Sequence, residues 1–252
     1  MVNLDRFARR CKSAGRALVD MLLPQQCPIC AGIVGPEGGL CGSCWGALRF
    51  LAPPHCACCG IPFPFEGGAS ALCADCLRDP PRFERARAVL IYDEASRPLV
   101  LDLKHRDRLD VAAIVAPMMA GAATELLTEA DLLMAVPLHW RRRLRRRGNQ
   151  SAELARALSH RTGVPHRAGL LRRTRATPSQ GGLGRAGRQR NVAGAFSVDA
   201  SAGDMVRDRR ILLIDDVFTT GATANACALS LLAAGAGAVD LLTLTRVVRI
   251  ET

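Results

Sequence analysis

Aromatic side chains make up only 4% of this sequence, and just two of its 34 basic residues are lysines, Lys12 and Lys104. Any core must therefore be filled by Leu, Val, Ile and Ala. An arginine excess can follow from genome composition alone and is not read as function by itself. No apolar run approaches the ~20 residues that a membrane-spanning helix needs. Asp20 interrupts the short apolar stretch near the amino terminus and no small-residue cleavage site follows, so no secretory signal is expected. No Gly-x-x-x-x-Gly-Lys-[Ser/Thr] occurs, which excludes a nucleotide-triphosphatase loop. His55, His105, His139, His160 and His166 lack metal-ligand spacing, and none is assigned a catalytic role.

With 252 residues and 49% apolar content, the chain can form one good core and a small second unit. The net charge is +11, unevenly spread. Residues 141–190 hold 15 Arg and one acid, Glu153, so that segment alone is +14 and the remainder is slightly acidic. A local field of this kind attracts polyanions, phosphorylated metabolites and nucleic acids alike. Within residues 1–23, Phe7, Cys11, Ala14, Leu18 and Leu22 fall on one helical face, with Arg6, Arg9, Lys12 and Arg16 elsewhere. This reads as an amphipathic docking helix, with a membrane-surface helix as the alternative.

Ten of the eleven cysteines precede residue 77. Metal binding in a reducing cytoplasm explains that clustering better than disulfides do. Four Cys-x-x-Cys pairs follow one another: Cys27/Cys30, Cys41/Cys44, Cys56/Cys59 and Cys73/Cys76. Ten residues separate the first two pairs and thirteen the last two. Each turn points two thiolates at one ion, and two turns complete a tetrahedral four-cysteine zinc site. Two structural zinc ions bound in sequence, as in a double zinc ribbon over residues 24–79, is the simplest arrangement. Interleaved pairing is the alternative, and Cys58 could replace a neighbour. A segment this short, rich in Pro and Gly, buries little surface. Structural zinc, at ~10–16 kcal/mol per site, supplies the missing stability. Cys11 and Cys227 read as buried apolar fillers. Asp79-Pro80-Pro81 reads as a linker.

From Arg85 onward, apolar strands alternate with amphipathic helices. Candidate strands are 88–92, 132–136, 210–214 and 239–245; candidate helices are 97–105, 111–127, 151–161 and 223–234. The strands are continuously apolar, as in a mainly parallel sheet buried on both faces and flanked by helices, an α/β architecture. Ligands of such sheets bind beyond the carboxyl ends of the strands.

The most informative stretch runs from Ile211 to Thr223. An apolar strand ends in Asp215 and Asp216, then Thr219, Thr220, Gly221, Ala222 and Thr223 lead into a helix. Amides at a helix start bind phosphate, helped by the helix dipole. The threonine hydroxyls add donors, Gly221 lets the main chain approach, and two carboxylates can accept from vicinal ribose hydroxyls. The bland reading, an ordinary helix cap, does not account for the paired carboxylates.

These residues resemble the signature of type I phosphoribosyltransferases, which bind 5-phosphoribosyl diphosphate (PRPP). The resemblance implies that Asp215 and Asp216 contact ribose, as catalytic residues if transfer occurs, and that Thr219–Thr223 hold the 5-phosphate. Magnesium would arrive on PRPP. Val136-Pro137-Leu138-His139 resembles the pyrophosphate loop of that family. With Arg147-Gly148-Asn149-Gln150, the stretch Leu171 to Phe196 and the cysteine-rich front, residues 21–249 together resemble the ComF family of competence-associated proteins. That resemblance implies a type I phosphoribosyltransferase fold over residues 83–252 behind a double zinc ribbon, and a link to DNA uptake and single-stranded DNA. A homodimer or a competence-machinery partner is compatible with it.

Two functions follow as expectations. One is phosphoribosyl transfer to a nucleobase-like or other nitrogen nucleophile with release of pyrophosphate. The other is single-stranded DNA handling with PRPP as a regulatory ligand. Residues 175–195 read as a Gly- and Arg-rich mobile lid, with Arg185, Arg188 and Arg190 able to close over pyrophosphate. Lys104 is a further pyrophosphate contact or an ordinary surface lysine. The run Arg141, Arg142, Arg143, Arg145, Arg146 and Arg147 is either a solvated charge face or a phosphate-binding surface. No aromatic residue occurs within 141–190, so any nucleic-acid binding there is phosphate-driven and indifferent to sequence.

Overall fold

A computed structural model describes residues 24–66, 68–104, 110–138, 148–175, 185–199 and 203–248. The amphipathic-helix expectation for residues 1–23 and the arginine run 141–147 lie outside them. The chain divides into two compact units, residues 1–48 and 49–252. The sequence boundary expected at 79–83 falls inside the second unit, so the second pair of cysteine knuckles shares a unit with the sheet.

Two ribbons repeat one plan. In the first, Gln26 bridges Ile33 across the Cys27–Cys30 turn, and Cys41 caps helix α1 (Gly42–Ala47). In the second, His55 bridges Pro62 across the Cys56–Cys59 turn, and Cys73 caps helix α2 (Ala74–Arg78). Each knuckle closes with a left-handed residue just after its second cysteine: Ala31 at φ 58° and Gly60 at φ 68°.

The sheet contains β1 (Ala86–Ile91), β2 (Leu132–Ala135), β5 (Arg210–Phe218) and β6 (Ala238–Arg246), all parallel, in the order β1-β6-β5-β2. This is the expected α/β class, a mainly parallel sheet flanked by helices behind a cysteine-rich ribbon region, and it has the type I phosphoribosyltransferase fold. Ile211, Leu212, Leu213 and Ile214 have no exposure, as a central strand requires. Residues 49–51 lie along β1, with Leu51 N–H donating to the Val89 carbonyl and Ile91 N–H to that of Arg49, so that edge is partnered. Cys56, Cys59, Cys76 and Phe83 belong to the same buried cluster as Ile211, Leu213 and Val239.

Several elements differ from the sequence reading. Strand β5 continues through Asp215, Asp216, Val217 and Phe218 instead of ending at 214, because β6 pairs with it as far as Phe218↔Arg246. The helix expected over 111–127 is two, α4 (Asp110–Ala122) and α5 (Thr124–Glu129), interrupted at Ala123 with φ −134°. The other main helices are α3 (Arg97–Lys104), α6 (Gln150–Thr162) and α9 (Ala222–Ala233), with a short α8 (Gly203–Val206) before β5.

Two short strands, β3 (Leu171–Arg173) and β4 (Phe196–Val198), form an antiparallel pair that the pattern search missed. Three residues carry too little alternation to read. Within the expected lid, Arg185–Val192 is helix α7, anchored by buried Val192; residues 176–184 lie outside the described ones. The helix-favouring Arg, Ala and Gln outweigh Gly187.

The amino end of the sheet is held by an ionic cluster. Fully buried Asp240 pairs with Arg85 at 2.8 Å and with Arg210 at 3.1 Å, and also accepts from the Arg85 backbone N–H at 3.1 Å. A buried carboxylate needs this degree of compensation.

Candidate zinc and phosphoribosyl sites

The eight expected ligands form two groups in sequence: Cys27, Cys30, Cys41 and Cys44, then Cys56, Cys59, Cys73 and Cys76. Within each group the sulfurs lie within 4.8 Å of one another. Tetrahedral zinc with Zn–S of about 2.3 Å requires S···S of about 3.8 Å. Cys30 and Cys41 sulfurs are 3.6 Å apart, and those of Cys59 and Cys73 are 3.7 Å apart. Sequential pairing, not interleaving, is what the chain adopts, and Cys58 belongs to neither group.

The electrostatics of the thiols also fit a dication. Cys41 falls to about 6, chiefly through the Ser43 hydroxyl, while Cys44 rises to about 12 beside Cys41. In the second group burial opposes ionisation of Cys56, but the N–H groups of Cys73, Cys59 and Cys58 bring it down to about 7. Burial lifts Cys59 to about 11. Four thiols this close do not all ionise without a cation among them. With four protein ligands each, these are structural zinc sites without an open position.

The second site lies beyond the carboxyl ends of β2, β5 and β6. A cavity of about 570 Å³ is lined there by Asp215, Asp216, Thr219, Gly221, Ala222, Thr223, Val136, Pro137, Leu138 and Lys104. The sequence candidates thus converge, with one exception. Thr220 does not line this cavity, and its hydroxyl is buried without a hydrogen-bond partner. Arg188 is a position on α7, and its side chain lies outside the described residues.

Sequence reasoning did not assign the residues that hold the two carboxylates. Ser151 Oγ donates to Asp215 Oδ1 at 2.8 Å, and Gln150 Nε2 donates to Asp216 Oδ2 at 3.2 Å. Both sit in the first turn of α6, where Asn149 caps the helix by accepting from Ser151 N–H at 3.2 Å. The Asn149 amide also donates to the Val136 carbonyl at 3.1 Å, tying the helix start to the residues after β2. A capping Asn followed by Gln-Ser was the available signal, legible only as a helix start. Lys104 Nζ stands 3.5 Å from Asp216 Oδ2.

Asp215 is half-buried beside the cavity. Burial, and then the Asp216 charge, push its pKa up to about 8, against the opposing Ser151 bond. At the loop, Gly221 has φ 75° and caps α9, and a Cβ there would lie 3.1 Å from the Phe218 ring. The site therefore combines a helix start, hydroxyls, a cation and two carboxylates. That set suits a phosphorylated sugar.

Comparison with known proteins bears on the ribbon region and on the chain as a whole. Residues 18–77 match the double zinc ribbon domain family. The DNA utilization protein YhgH of Salmonella typhi is 34% identical over 214 residues, covering 82% of this chain and 90% of that protein. Competence protein F of Haemophilus influenzae is 28% identical over 194 residues, covering 75% and 82%. Competence protein ComFC of Bacillus subtilis is 24% identical over 224 residues, covering 85% and 87%. Among the described residues no helix is long and apolar enough to cross a membrane. With tandem four-cysteine ribbons, a parallel sheet whose β5 carries Asp215-Asp216 and relatives matched over nearly their whole length, the chain belongs to the ComF family.

Proposed function

We propose that this chain handles single-stranded DNA in a competence-type process, in the cytoplasm, and that its α/β unit binds PRPP as a regulatory ligand. One observation carries the ligand: Asp215 and Asp216 line a single cavity with Thr219, Gly221, Ala222, Thr223 and Lys104. The printed names of the relatives, DNA utilization protein and competence protein, support the DNA side.

In this reading the ribose hydroxyls donate to Asp215 and Asp216, whose oxygens Ser151 and Gln150 hold in place. The N–H groups at the start of α9 and the hydroxyls of Thr219 and Thr223 take the 5-phosphate. Val136–Leu138, Lys104 and Arg188 receive the pyrophosphate. Magnesium carried on PRPP would offset the pyrophosphate charge.

The test is thermal stability with PRPP and magnesium. At ~100-fold excess over the dissociation constant the gain is about 2.7 kcal/mol. The double variant Asp215→Asn/Asp216→Asn loses that response while keeping the unliganded fold. A variant that responds like the wild type refutes the site.

A second reading, phosphoribosyl transfer, is favoured by the raised pKa of Asp215, a carboxyl able to exchange a proton near neutral pH. The C1–pyrophosphate bond would break, a C1–nitrogen bond form and the nitrogen's proton pass to a base. Pyrophosphate release with a nucleobase panel separates the readings: release supports transfer, and binding without release supports regulation.

A further inference from the structure

Arg246, at the end of β6, is the one buried basic residue among those described, with 6% exposure. Its Nη1 donates to the Cys59 carbonyl, and its Nη2 lies 3.6 Å from Cys59 Sγ. Its guanidinium carbon stands 4.3 Å from the centre of the Phe218 ring. Phe218 is its register partner on β5 and directly precedes Thr219. That ring in turn supports the turn at Gly221, at 3.1 Å from its Cβ position, and meets Phe83 edge-on at 6.1 Å. A second cavity of about 510 Å³ is lined by Cys59, Cys73 and Cys76 on one side and Thr219, Thr220 and Gly221 on the other. It shares Phe218, Thr219 and Gly221 with the phosphoribosyl cavity.

A buried guanidinium is costly unless a counter-charge stands beside it. Zinc held by four thiolates carries a net charge of −2, and Cys59 presents that charge to Arg246. When the metal leaves, it no longer holds Cys59 in place, and the guanidinium bonded to Cys59 loses the anionic complex that it faces. Arg246 can then no longer be held over Phe218, and Phe218 no longer fixes the turn that follows it.

We infer that Arg246 is a positioning residue that ties the second zinc site to the phosphate-binding turn, so that the turn keeps its shape only while Cys56, Cys59, Cys73 and Cys76 hold zinc. The first zinc site, in the other compact unit, serves as the comparison. The binding arm of the test rests on the proposed PRPP reading; the exchange arm does not.

The test compares the full-length wild type with Arg246→Gln, Arg246→Lys, Cys76→Ser and Cys27→Ser. Zinc content and amide hydrogen exchange are read first, without ligand. Cys76→Ser loses one zinc, and amides 218–223 exchange about tenfold faster or more, the equivalent of a weakened local opening equilibrium. Arg246→Gln keeps two zinc ions and shows the same local loosening. Arg246→Lys keeps both metals but rescues only partly, because a compact ammonium lacks the several N–H groups with which a guanidinium bonds Cys59 while standing over the ring. Cys27→Ser loses one zinc without changing the turn. PRPP–magnesium affinity, by calorimetry, falls about tenfold or more in Arg246→Gln, as for loss of one charge-assisted hydrogen bond. If the wild type binds no PRPP, the phosphoribosyl reading fails while exchange still decides the role of Arg246. Unchanged exchange over 218–223 in Arg246→Gln overturns the inference. So does loosening spread evenly over β1, β5 and α9, which marks a merely structural residue. Should Cys76→Ser unfold, Arg246→Gln decides, since it keeps all eight ligands.

Discussion

Gly60 lies so close to Ala86 that a Cβ at position 60 would come within 2.4 Å of the Ala86 carbonyl oxygen. Here the second knuckle turns against β1, and the Ala86 N–H donates to the Cys58 carbonyl at 2.6 Å. The contact is main chain to main chain, so no side chain can move aside to relieve it.

Gly60→Ala therefore meets two penalties, a left-handed φ of 68° and a backbone clash. Together they cost about 2–4 kcal/mol. For a unit of this size that lowers the melting temperature by more than about 4 °C. Calorimetry with zinc analysis checks it. Ala31, at φ 58° in the matching place of the first knuckle, marks the contrasting case: Ala31→Gly stabilises or is neutral.

Zinc content tests the ligand assignment. Elemental analysis gives two zinc ions per chain, and Cys58→Ser keeps both because Cys58 lies outside the four-sulfur group. Cys56→Ser keeps one. Loss of zinc from Cys58→Ser, or iron in place of zinc, contradicts the assignment.

The raised pKa of Asp215 has a definite sign in stability. A carboxyl that titrates near 8 when folded and near 4 when unfolded binds more protons in the folded state between those values. Its contribution to unliganded stability is thus present at low pH and lost as pH rises towards about 8. Between pH 6 and 8.5 the apo protein loses stability with rising pH. Asp215→Asn, which keeps an acceptor for Ser151, flattens that slope and is more stable than the wild type at pH 8.5. Equal slopes in urea titrations of the two proteins would count against it.

Residues 141–190 carry +14 with no aromatic residue among them. Single-stranded DNA binding should then depend on phosphates, with log affinity falling by about 0.7 per neutralised phosphate for each unit of log salt. Replacing Arg141, Arg142, Arg143, Arg145, Arg146 and Arg147 with Gln flattens the slope by roughly two to four units if most of them touch phosphate. Tight, salt-insensitive binding to one sequence would instead indicate base readout.

The cysteine spacing by itself determined the eight zinc ligands, because a Cys-x-x-Cys turn is a local structure that needs no distant partner. The continuous apolar runs determined a parallel α/β sheet, and the Asp215–Thr223 string marked residues that, Thr220 apart, line one cavity beyond the strand ends. Only tertiary structure decided sequential pairing, since ten or thirteen intervening residues allow either arrangement. It also decided that Ser151 and Gln150 hold the two carboxylates, from more than sixty residues away in the chain. Nor could local pattern show that Arg246 reaches Cys59 across a sequence separation of 187. Such contacts come from strand order and register, which place residues side by side regardless of their distance along the chain.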